Sequence, residues 1–280
     1  MLSMSLRSFS LKVACISAVC ILCLCKNPFP SYAADFAVTS PWLFEITNFI
    51  SGGKSQVRCL SVWSSNGDVS VVSSPKGGEV VIALNMEEAS LFKINRNNKL
   101  HLLYQSLSIP VNQTRSLFYD PAVIPLTAQN VMKVIAKADN KNYAYYQRRL
   151  AELQARIEST NNVGKHLLKS VKILDLTVSQ GVWVRSAVNN PISPPVEVWN
   201  KWLNGDSEAL KAALDEAKKR GWTVILDPWT PNVIRSVALM YDHCVALPSP
   251  KIGVGYFAHL HNIYLSIWNK IKAPVVIIEK

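Results

Sequence analysis

The stretch from residue 126 to residue 160 constrains the fold more than any other, because helical periodicity runs through almost all of it. Two helical runs follow each other directly and are separated at Asp139 and Asn140, either of which can cap a restarted helix. The second run places four residues on one apolar stripe: Tyr146, Leu150, Leu153 and Ile157. At 1.5 Å per residue the whole stretch would extend about 50 Å, the long axis of a domain of this size. Alone it could be an ordinary amphipathic core helix.

Sequence on both sides of this stretch has α/β character, which favours a spine between two lobes. Before it, apolar runs typical of strands are interrupted by a helix predicted over residues 41–50. After it, a helix that starts at Asp206 and stops at Gly221 leads directly into the apolar strand 222–226. The predicted fold class is therefore α/β, with two lobes, each a mainly parallel sheet flanked by helices, joined by a long spine helix.

The predicted boundaries follow from these elements. The N-terminal lobe covers residues 35–126, the connecting helix covers 127–160, and the C-terminal lobe covers 161–280. Residues 1–34 have the pattern of a cleaved signal peptide: a basic start, an apolar run over 13–24, and a small-x-small cleavage site. The apolar run is shorter than the roughly 20 residues that span a bilayer. We therefore expect an exported, periplasmic protein.

Charge and cysteine content give weaker constraints. The net charge of +11 could indicate nucleic acid, an anionic membrane or an acidic ligand. Because the Lys and Arg residues are scattered, we interpret them as a solvated basic surface and expect no nucleic-acid partner. We also expect a monomer. Only Cys59 and Cys244 lie beyond the predicted signal peptide. Export would permit a disulfide between them, and two free thiols are equally compatible with their apolar contexts.

Several stretches, in this order, resemble the periplasmic metal-binding receptors of zinc and manganese ABC importers, the cluster A-I solute-binding proteins. Residues 120–123, Asp-Pro-Ala-Val, resemble the family's Asp-Pro-His-Val/Ile-Trp motif. Residues 139–143 resemble its Asp-Pro-x-Asn-x-x-x-Tyr step, and residues 226–229 resemble its apolar-Glu-Pro-Gln strand end. The resemblance covers about residues 36–272. It implies a receptor without catalytic activity that captures a metal ion or small solute and presents it to an ABC permease in the inner membrane.

The resemblance also implies four metal ligands, usually three His, or two His and a Glu, together with an Asp. This chain departs from the pattern at each place. Residues 61–69 contain no His, Ala122 replaces the second His, the third position falls near Thr177, and the fourth falls at Pro248 or Ser249. Zinc and manganese need about four nitrogen or oxygen donors in a preformed cavity. We therefore expect either a degenerate site or a divalent ion, Zn or Mn, at an atypical site.

The histidines offer no obvious replacement, because none is spaced His-x-x-x-His and His259 and His261 point to different helix faces. We interpret each as a surface or core residue. Three tryptophans and several residues near predicted strand ends are the candidates for lining the cleft. These candidates are Trp63, Ser64, Asp120, Ala122, Thr177, Trp183, Asp227, Trp229 and Ser249. Asp120 and Asp227, which precede prolines, could equally be turn or cap residues, and each Trp could belong to the core.

Three functions remain open at this point. The chain could be a metal-importer receptor with an atypical or degenerate site, or a receptor-like accessory or binder of a non-metal solute. It could also be an exported enzyme on the same scaffold. The enzyme is least expected, because no Gly-x-Ser-x-Gly, Walker or complete dinucleotide-binding motif occurs in the sequence.

Overall fold

Two parallel sheets, one on each side of a long helical segment, organise the chain in the computed structural model, which describes residues 34–97, 99–105 and 111–272. The predicted fold class is confirmed: each lobe has a parallel sheet flanked by helices, and the long helical segment connects the lobes. The predicted signal peptide lies outside the described residues except for Ala34.

The N-terminal lobe is built on a four-stranded parallel sheet in the order β2-β1-β5-β6. The strands are β1 (Asp35–Val38), β2 (Gln56–Cys59), β5 (Val80–Ala83) and β6 (Leu100–Leu102). The alternation of residues 56–63 in the sequence predicts a single strand. In the structure it is interrupted at Leu60, whose N–H bonds to the Val38 carbonyl. Beyond Leu60 the chain leaves the sheet and forms an antiparallel hairpin of β3 (Ser61–Trp63) and β4 (Val69–Val71). The Asn66-Gly67 pair, which in a polar loop predicts a hairpin turn, forms that turn, with Gly67 at φ 82°.

The helices of this lobe are α1 (Pro41–Ser51), α2 (Met86–Leu91) and α3 (Val111–Thr114), which continues as a 3₁₀ turn, Arg115–Phe118. Helix α1 matches its prediction, with proline in the first turn and Gly52 in the left-handed conformation after its end. Helix α2 was not predicted, because its six residues are too few to show a period. Its start is fixed by Asn85, whose side chain accepts a hydrogen bond from the Glu88 N–H at 2.9 Å.

The spine consists of two helices, α4 (Ile124–Ala138) and α5 (Tyr143–Leu167), with a 3₁₀ turn, Asn140–Asn142, between them. The break falls at Asp139, where the sequence predicts it. The Asp139 carboxylate accepts hydrogen bonds from the Tyr146 hydroxyl at 2.5 Å and from the Asn142 amide at 2.6 Å. Helix α5 extends seven residues beyond the predicted end at residue 160.

The C-terminal lobe has a three-stranded parallel sheet in the order β7-β8-β9. Its strands are β7 (Ile173–Asp175), β8 (Thr223–Leu226) and β9 (Cys244–Ala246). Its helices are α6 (Gly181–Arg185), α7 (Val196–Leu203), α8 (Ser207–Lys219), α9 (Asn232–Ala238) and α10 (Tyr256–Lys272). The Asp206 side chain caps α8 as predicted, accepting from the Ala209 N–H at 3.0 Å, and Gly221 follows the helix at φ 67°. Helix α7 was not predicted.

One hydrophobic core joins the two sheets through the helices between them. Ile82 of β5 and Ile225 of β8 belong to the same cluster, together with Ile135 of α4, Leu153 of α5 and Leu260 of α10. All five side chains are completely buried. The lobes therefore share a core rather than meeting only through a connecting helix.

Cys59 and Cys244, the cysteines among the described residues, are free thiols. Burial raises the pKa of Cys59 and raises the pKa of Cys244 to about 12, so neither is activated as a nucleophile. Within the described ranges, none of the helices has both the length and the apolar character that crossing a membrane requires.

Candidate functional site

The loops that follow the strands meet between the two lobes. The tip of the β3–β4 hairpin faces the loops that follow β8 and β9, and a Cβ placed on Gly67 would lie 3.2 Å from Pro250 Cδ and 3.4 Å from Trp229 Cζ2. Ligands of open parallel sheets usually bind at the carboxyl ends of the strands. In this structure the side chains of the chain itself occupy that position.

Asp68 is the centre of the contact between the lobes. Its Oδ1 accepts a hydrogen bond from the Trp229 indole N–H at 3.2 Å and another from Arg115 Nη2 at 3.0 Å. The Arg115 guanidinium also lies 4.3 Å from the centre of the Trp229 ring, within cation–π distance. Burial lowers the pKa of Arg115, and the Asp68 carboxylate acts against that shift, so the pair holds its opposite charges together.

A buried group of aromatic and amide side chains lies behind this contact. Gln180 Nε2 donates to the Pro248 carbonyl at 2.9 Å, which fixes the orientation of the amide. The same nitrogen lies 3.2 Å from His259 Nε2, and the Tyr119 hydroxyl lies 3.1 Å from that ring atom. Because the amide nitrogen can only donate, His259 Nε2 is an acceptor and the ring is neutral. Burial lowers the pKa of His259 to about 4.

Trp42 completes this group. Its indole N–H donates to the Tyr119 hydroxyl at 3.3 Å, and its ring centre lies 5.1 Å from that of His259. His259 is therefore a neutral core residue that links α10 to both lobes. Its Nε2 already has hydrogen-bond partners in Gln180 and Tyr119.

Asp227 is fully buried and acts as a turn-forming carboxylate. Its Oδ2 accepts from three consecutive backbone N–H groups, those of Val178, Ser179 and Gln180, at 3.0, 2.6 and 3.1 Å. Its Oδ1 accepts from the Trp229 N–H at 3.2 Å and from the Thr230 hydroxyl at 3.1 Å. These five bonds use the acceptor positions of the carboxylate, so it orders the turn that leads into α6.

Asp175, at the end of β7, has a similar role. Its Oδ1 accepts from the backbone N–H and the hydroxyl of Thr177, at 2.9 and 2.7 Å, and its Oδ2 pairs with Arg185. The Thr177 hydroxyl is therefore engaged within its own turn.

The other predicted site residues lie in different surroundings. Ser64 donates from its hydroxyl to the Asp68 carbonyl in the hairpin turn, at 3.0 Å. Asp120 accepts from the N–H of Ala122 at 2.9 Å, and Ala122 itself is exposed at the start of the spine. Ser249 is half-buried beside Pro248. Ser64 thus lies in the hairpin turn beside Asp68, and Trp229, whose backbone N–H bonds to Asp227, contacts Asp68 from the other lobe.

The tryptophans separate into two groups. Trp63 packs on Trp42, with ring centres 5.1 Å apart, and lies in the hairpin that carries Asp68 to the contact between the lobes. Trp183 is instead fully buried in the core, stacked on Tyr264 with ring centres 5.4 Å apart, and it donates to the Leu260 carbonyl at 3.1 Å. It does not line the cleft, because the rotation of the short helix α6 directs it toward α10.

The donor groups at the four expected ligand positions do not fit zinc or manganese. Asp68, the carboxylate of the hairpin, is committed to Arg115 and Trp229. Ala122 has no donor atom, and the Thr177 hydroxyl is bonded to Asp175. Across residues 34–97, 99–105 and 111–272, no group of three or more His, Cys, Asp and Glu side chains is arranged to hold a metal ion.

A cavity of about 310 Å³ lies in the N-terminal lobe beside the contact that Asp68 and Arg115 make with Trp229. It is bounded by α1, the hairpin, α2 and the 3₁₀ turn after α3, and we call it the N-terminal cavity. Its lining residues include Ser40, Trp42, Trp63, Glu88, Phe92 and Phe118, with Asp68 and Arg115 also on its wall.

Comparison with solved structures identifies the architecture. ZnuA superposes with a TM-score of 0.60 at 19% identity, over 84% of this chain and 98% of ZnuA. The Mn-bound periplasmic metal binding protein of Candidatus Liberibacter asiaticus matches with a TM-score of 0.58 at 10% identity, over 85% of this chain and 99% of that one. The laminin-binding protein Lbp of Streptococcus pyogenes matches with a TM-score of 0.58 at 15% identity, over the same shares. The chain therefore has the fold of these solved structures, the cluster A-I fold.

This cluster A-I fold is evident from the structure and not from overall sequence similarity. No protein-family model matches the sequence, and comparison with curated proteins gives no match. The fold agreement covers nearly the full length of the solved structures. The interface between the lobes combines this fold with an Asp–Arg–Trp contact in the region where the resemblance implies metal ligands.

Residues that sequence reasoning did not single out form much of this interface. Asp68 lies in the hairpin, Arg115 and Tyr119 lie in and directly after the 3₁₀ turn, and Gln180 precedes α6; none belongs to a motif. One signal was available: Arg115 lies five residues before Asp120-Pro121. Arginine is the residue that most often forms ion pairs with carboxylates at interfaces, so it could have indicated such a pair.

Proposed function

We propose that this chain is an exported solute-binding receptor of the ABC-importer type whose metal site between the lobes is degenerate, and that it binds a non-metal solute. The observation that carries the proposal is the Asp68–Arg115–Trp229 contact. Asp68 supplies the only carboxylate within residues 61–69, and it neutralises an arginine instead of remaining open to a metal ion.

The cluster A-I fold supports the receptor class, and the signal-like sequence of residues 1–34 supports a periplasmic location. A receptor of this kind acts by binding and presentation, without covalent chemistry, and its partner would be an inner-membrane permease. The engaged carboxylates agree with that role, because Asp175 and Asp227 are both used in ordering turns. We expect the receptor to act as a monomer.

The lobes are held together by side chains of the chain itself, so ligand-driven closure is not needed to reach this arrangement. The hairpin tip packs against Pro250 and Trp229, and the shared core continues through α1, α4, α5 and α10. Solute binding is therefore expected to change the overall dimensions very little, which small-angle scattering with and without solute would show.

Elemental analysis of the protein purified without chelator tests the proposal, together with thermal shifts in Zn²⁺, Mn²⁺ and Fe²⁺. We expect no stoichiometric metal and no specific shift. A ligand at 100 times its Kd stabilises a protein by about 2.7 kcal/mol, which is easily measured. One metal ion per chain, with a shift that disappears in Asp68→Asn but persists in Asp120→Asn, would contradict the proposal and place a metal at the interface.

A further inference from the structure

We propose that the N-terminal cavity is the solute site and that its solute is a small organic amine with an apolar body. The assignment rests on the proposed function as a receptor for a non-metal solute. All residues that line the cavity belong to the N-terminal lobe, and two of them, Asp68 and Arg115, also contact Trp229 of the other lobe.

The walls of the cavity are mainly apolar and include four aromatic side chains. Trp42, Trp63, Phe92 and Phe118 are buried around it. Val71 and Leu91, which are 51% and 57% exposed, also line the cavity and mark its opening to solvent. A volume of about 310 Å³ lies at the lower end of the range for small-molecule sites, roughly 300–1,000 Å³. The site therefore suits a compact molecule with an apolar body.

Ser40 supplies an unpaired polar group in this wall. Ser40 precedes α1 at the N-cap position, where a serine hydroxyl normally bonds to an N–H of the first helical turn. Here the side chain makes no such bond, and the hydroxyl is buried without a hydrogen-bond partner among the described residues. The residue is only 7% exposed. A polar group of a ligand in the cavity would satisfy this hydroxyl.

Glu88 supplies a buried carboxyl in the same wall. The residue is 6% exposed, and its Oε2 accepts from the Leu84 N–H at 2.7 Å. Among the ion pairs formed by described residues, none involves Glu88. The nearby cation, Arg115, is already paired with Asp68 and stacked on Trp229. Glu88 therefore lacks a cationic partner that a ligand could provide.

These groups together select the charge of the ligand. An ammonium group would pair with the Glu88 carboxylate, would donate to the Ser40 hydroxyl, and would be attracted to the faces of Trp42 and Trp63. A carboxylate ligand would meet the ionised form of Glu88 as a like charge. A metal ion would find too few donors for binding, because Glu88 already accepts from the Leu84 N–H and Asp68 is paired with Arg115. The cavity is thus suited to an amine.

Titration calorimetry on the purified protein tests this assignment, with n-butylamine, phenethylamine and tryptamine as probes. Phenylacetate and 2-phenylethanol have bodies similar to that of phenethylamine but carry a negative charge or no charge. We expect at least one amine to bind with one site per chain. We expect 2-phenylethanol to bind at least about tenfold more weakly than phenethylamine, and phenylacetate not to bind. Absence of binding by all three amines, or equal binding of the alcohol, would overturn the assignment.

Variants locate the site. Glu88→Gln preserves the shape of the side chain and removes its charge, and we expect about a tenfold loss of amine affinity. Glu197→Gln removes an exposed carboxyl from α7 in the other lobe and should leave affinity unchanged. Leu91→Lys, at an exposed position, places a positive charge at the opening without disturbing the core and should also weaken binding. Unchanged affinity in folded Leu91→Lys and Glu88→Gln would refute the site.

The two proposals fail separately. Stoichiometric metal at the interface would overturn the proposed function even if amines bind. A metal-free protein that binds none of the amines would overturn only the assignment of the N-terminal cavity.

Discussion

The indole N–H of Trp229 donates a 3.2 Å hydrogen bond to Asp68, which lies 161 residues earlier in the chain and in the opposite lobe. Arg115 donates to the same carboxylate oxygen and covers the Trp229 ring. One carboxylate thus connects the hairpin, the 3₁₀ turn after α3 and the loop after β8. Because the Asp68 side chain is 49% exposed, its ion pair with Arg115 contributes only about 0–1 kcal/mol to stability. Packing of the Trp229 indole therefore provides most of the stability of this contact.

Trp229→Ala should therefore loosen the contact between the lobes. The half-buried indole loses its packing and its interaction with Arg115, which we expect to lower the free energy of unfolding by about 2 kcal/mol. Urea denaturation measures the loss, and small-angle scattering measures the accompanying expansion. Trp222→Ala is the matched control, because Trp222 also lies under an arginine, Arg220, but packs within the C-terminal lobe. Equal expansion of both variants would contradict the role of Trp229.

Gly67→Ala and Gly53→Ala separate backbone strain from packing between the lobes. The two glycines have nearly the same φ, 82° and 80°, so an alanine is strained to a similar extent at each, by about 1 kcal/mol. A Cβ at Gly53 meets nothing within 4 Å, whereas at Gly67 it would press on Pro250 and Trp229. We expect Gly67→Ala to be less stable than Gly53→Ala by about a further 1 kcal/mol in chemical denaturation. Equal losses would show that the hairpin tip yields freely.

Stability should fall with acid because of His259. The pKa of His259 is about 4 in the fold, compared with about 6.5 when unfolded, so the unfolded chain binds the extra proton first. This contribution is fully present above pH 6.5 and is lost as the pH falls toward 4, by about 3 kcal/mol in total. Urea denaturation between pH 7 and pH 4 measures the slope.

His259→Gln should flatten this part of the pH profile, although it also lowers stability at pH 7 by disturbing the bonds to Tyr119 and Gln180. His261→Gln, two residues further along α10, removes a half-buried histidine and should leave the slope unchanged. An unaltered slope in His259→Gln would assign the acid sensitivity to another group.

Asp227→Asn should destabilise the protein much more than Asp120→Asn. The amide presents an N–H₂ group to a carboxylate site surrounded by five donors, leaving buried N–H groups unsatisfied, and we expect a loss of about 3 kcal/mol. The Asp120 carboxylate accepts one backbone bond in partly exposed surroundings, so its loss should be below about 1 kcal/mol. Thermal denaturation compares the two variants, and similar melting temperatures would contradict the turn-forming role of Asp227.

Local signals were sufficient to predict most of the fold. The break at Asp139 and the limits of α8 at Asp206 and Gly221 follow from capping residues beside clear periodicity. Helices α2 and α7 were missed, because six and eight residues carry too little periodicity to stand out from the loops beside them. The break at Leu60 was also missed, since both strands around it have the same alternation.

The candidate site was less predictable, because its geometry depends on packing between distant segments. Trp183 is an example. It lies in a five-residue helix, and a small rotation of such a helix directs a tryptophan either toward the cleft or toward the core. Amino-acid composition does not determine which of the two orientations occurs. Asp68 and Arg115 were missed for a related reason. Neither has a distinctive sequence context, and their pairing depends on how the hairpin folds back toward the turn after α3.

The shared core of the two lobes has a thermodynamic consequence. Ile82 and Ile225 lie in different sheets but in one apolar cluster, so neither half can bury its share of that cluster alone. The protein should melt in a single cooperative transition, and separately produced halves should remain incompletely folded. A solute that binds in the N-terminal cavity would make global unfolding of the whole chain rarer. Backbone amides in β7 to β9 that exchange only on global unfolding would therefore exchange more slowly, although the solute touches none of them.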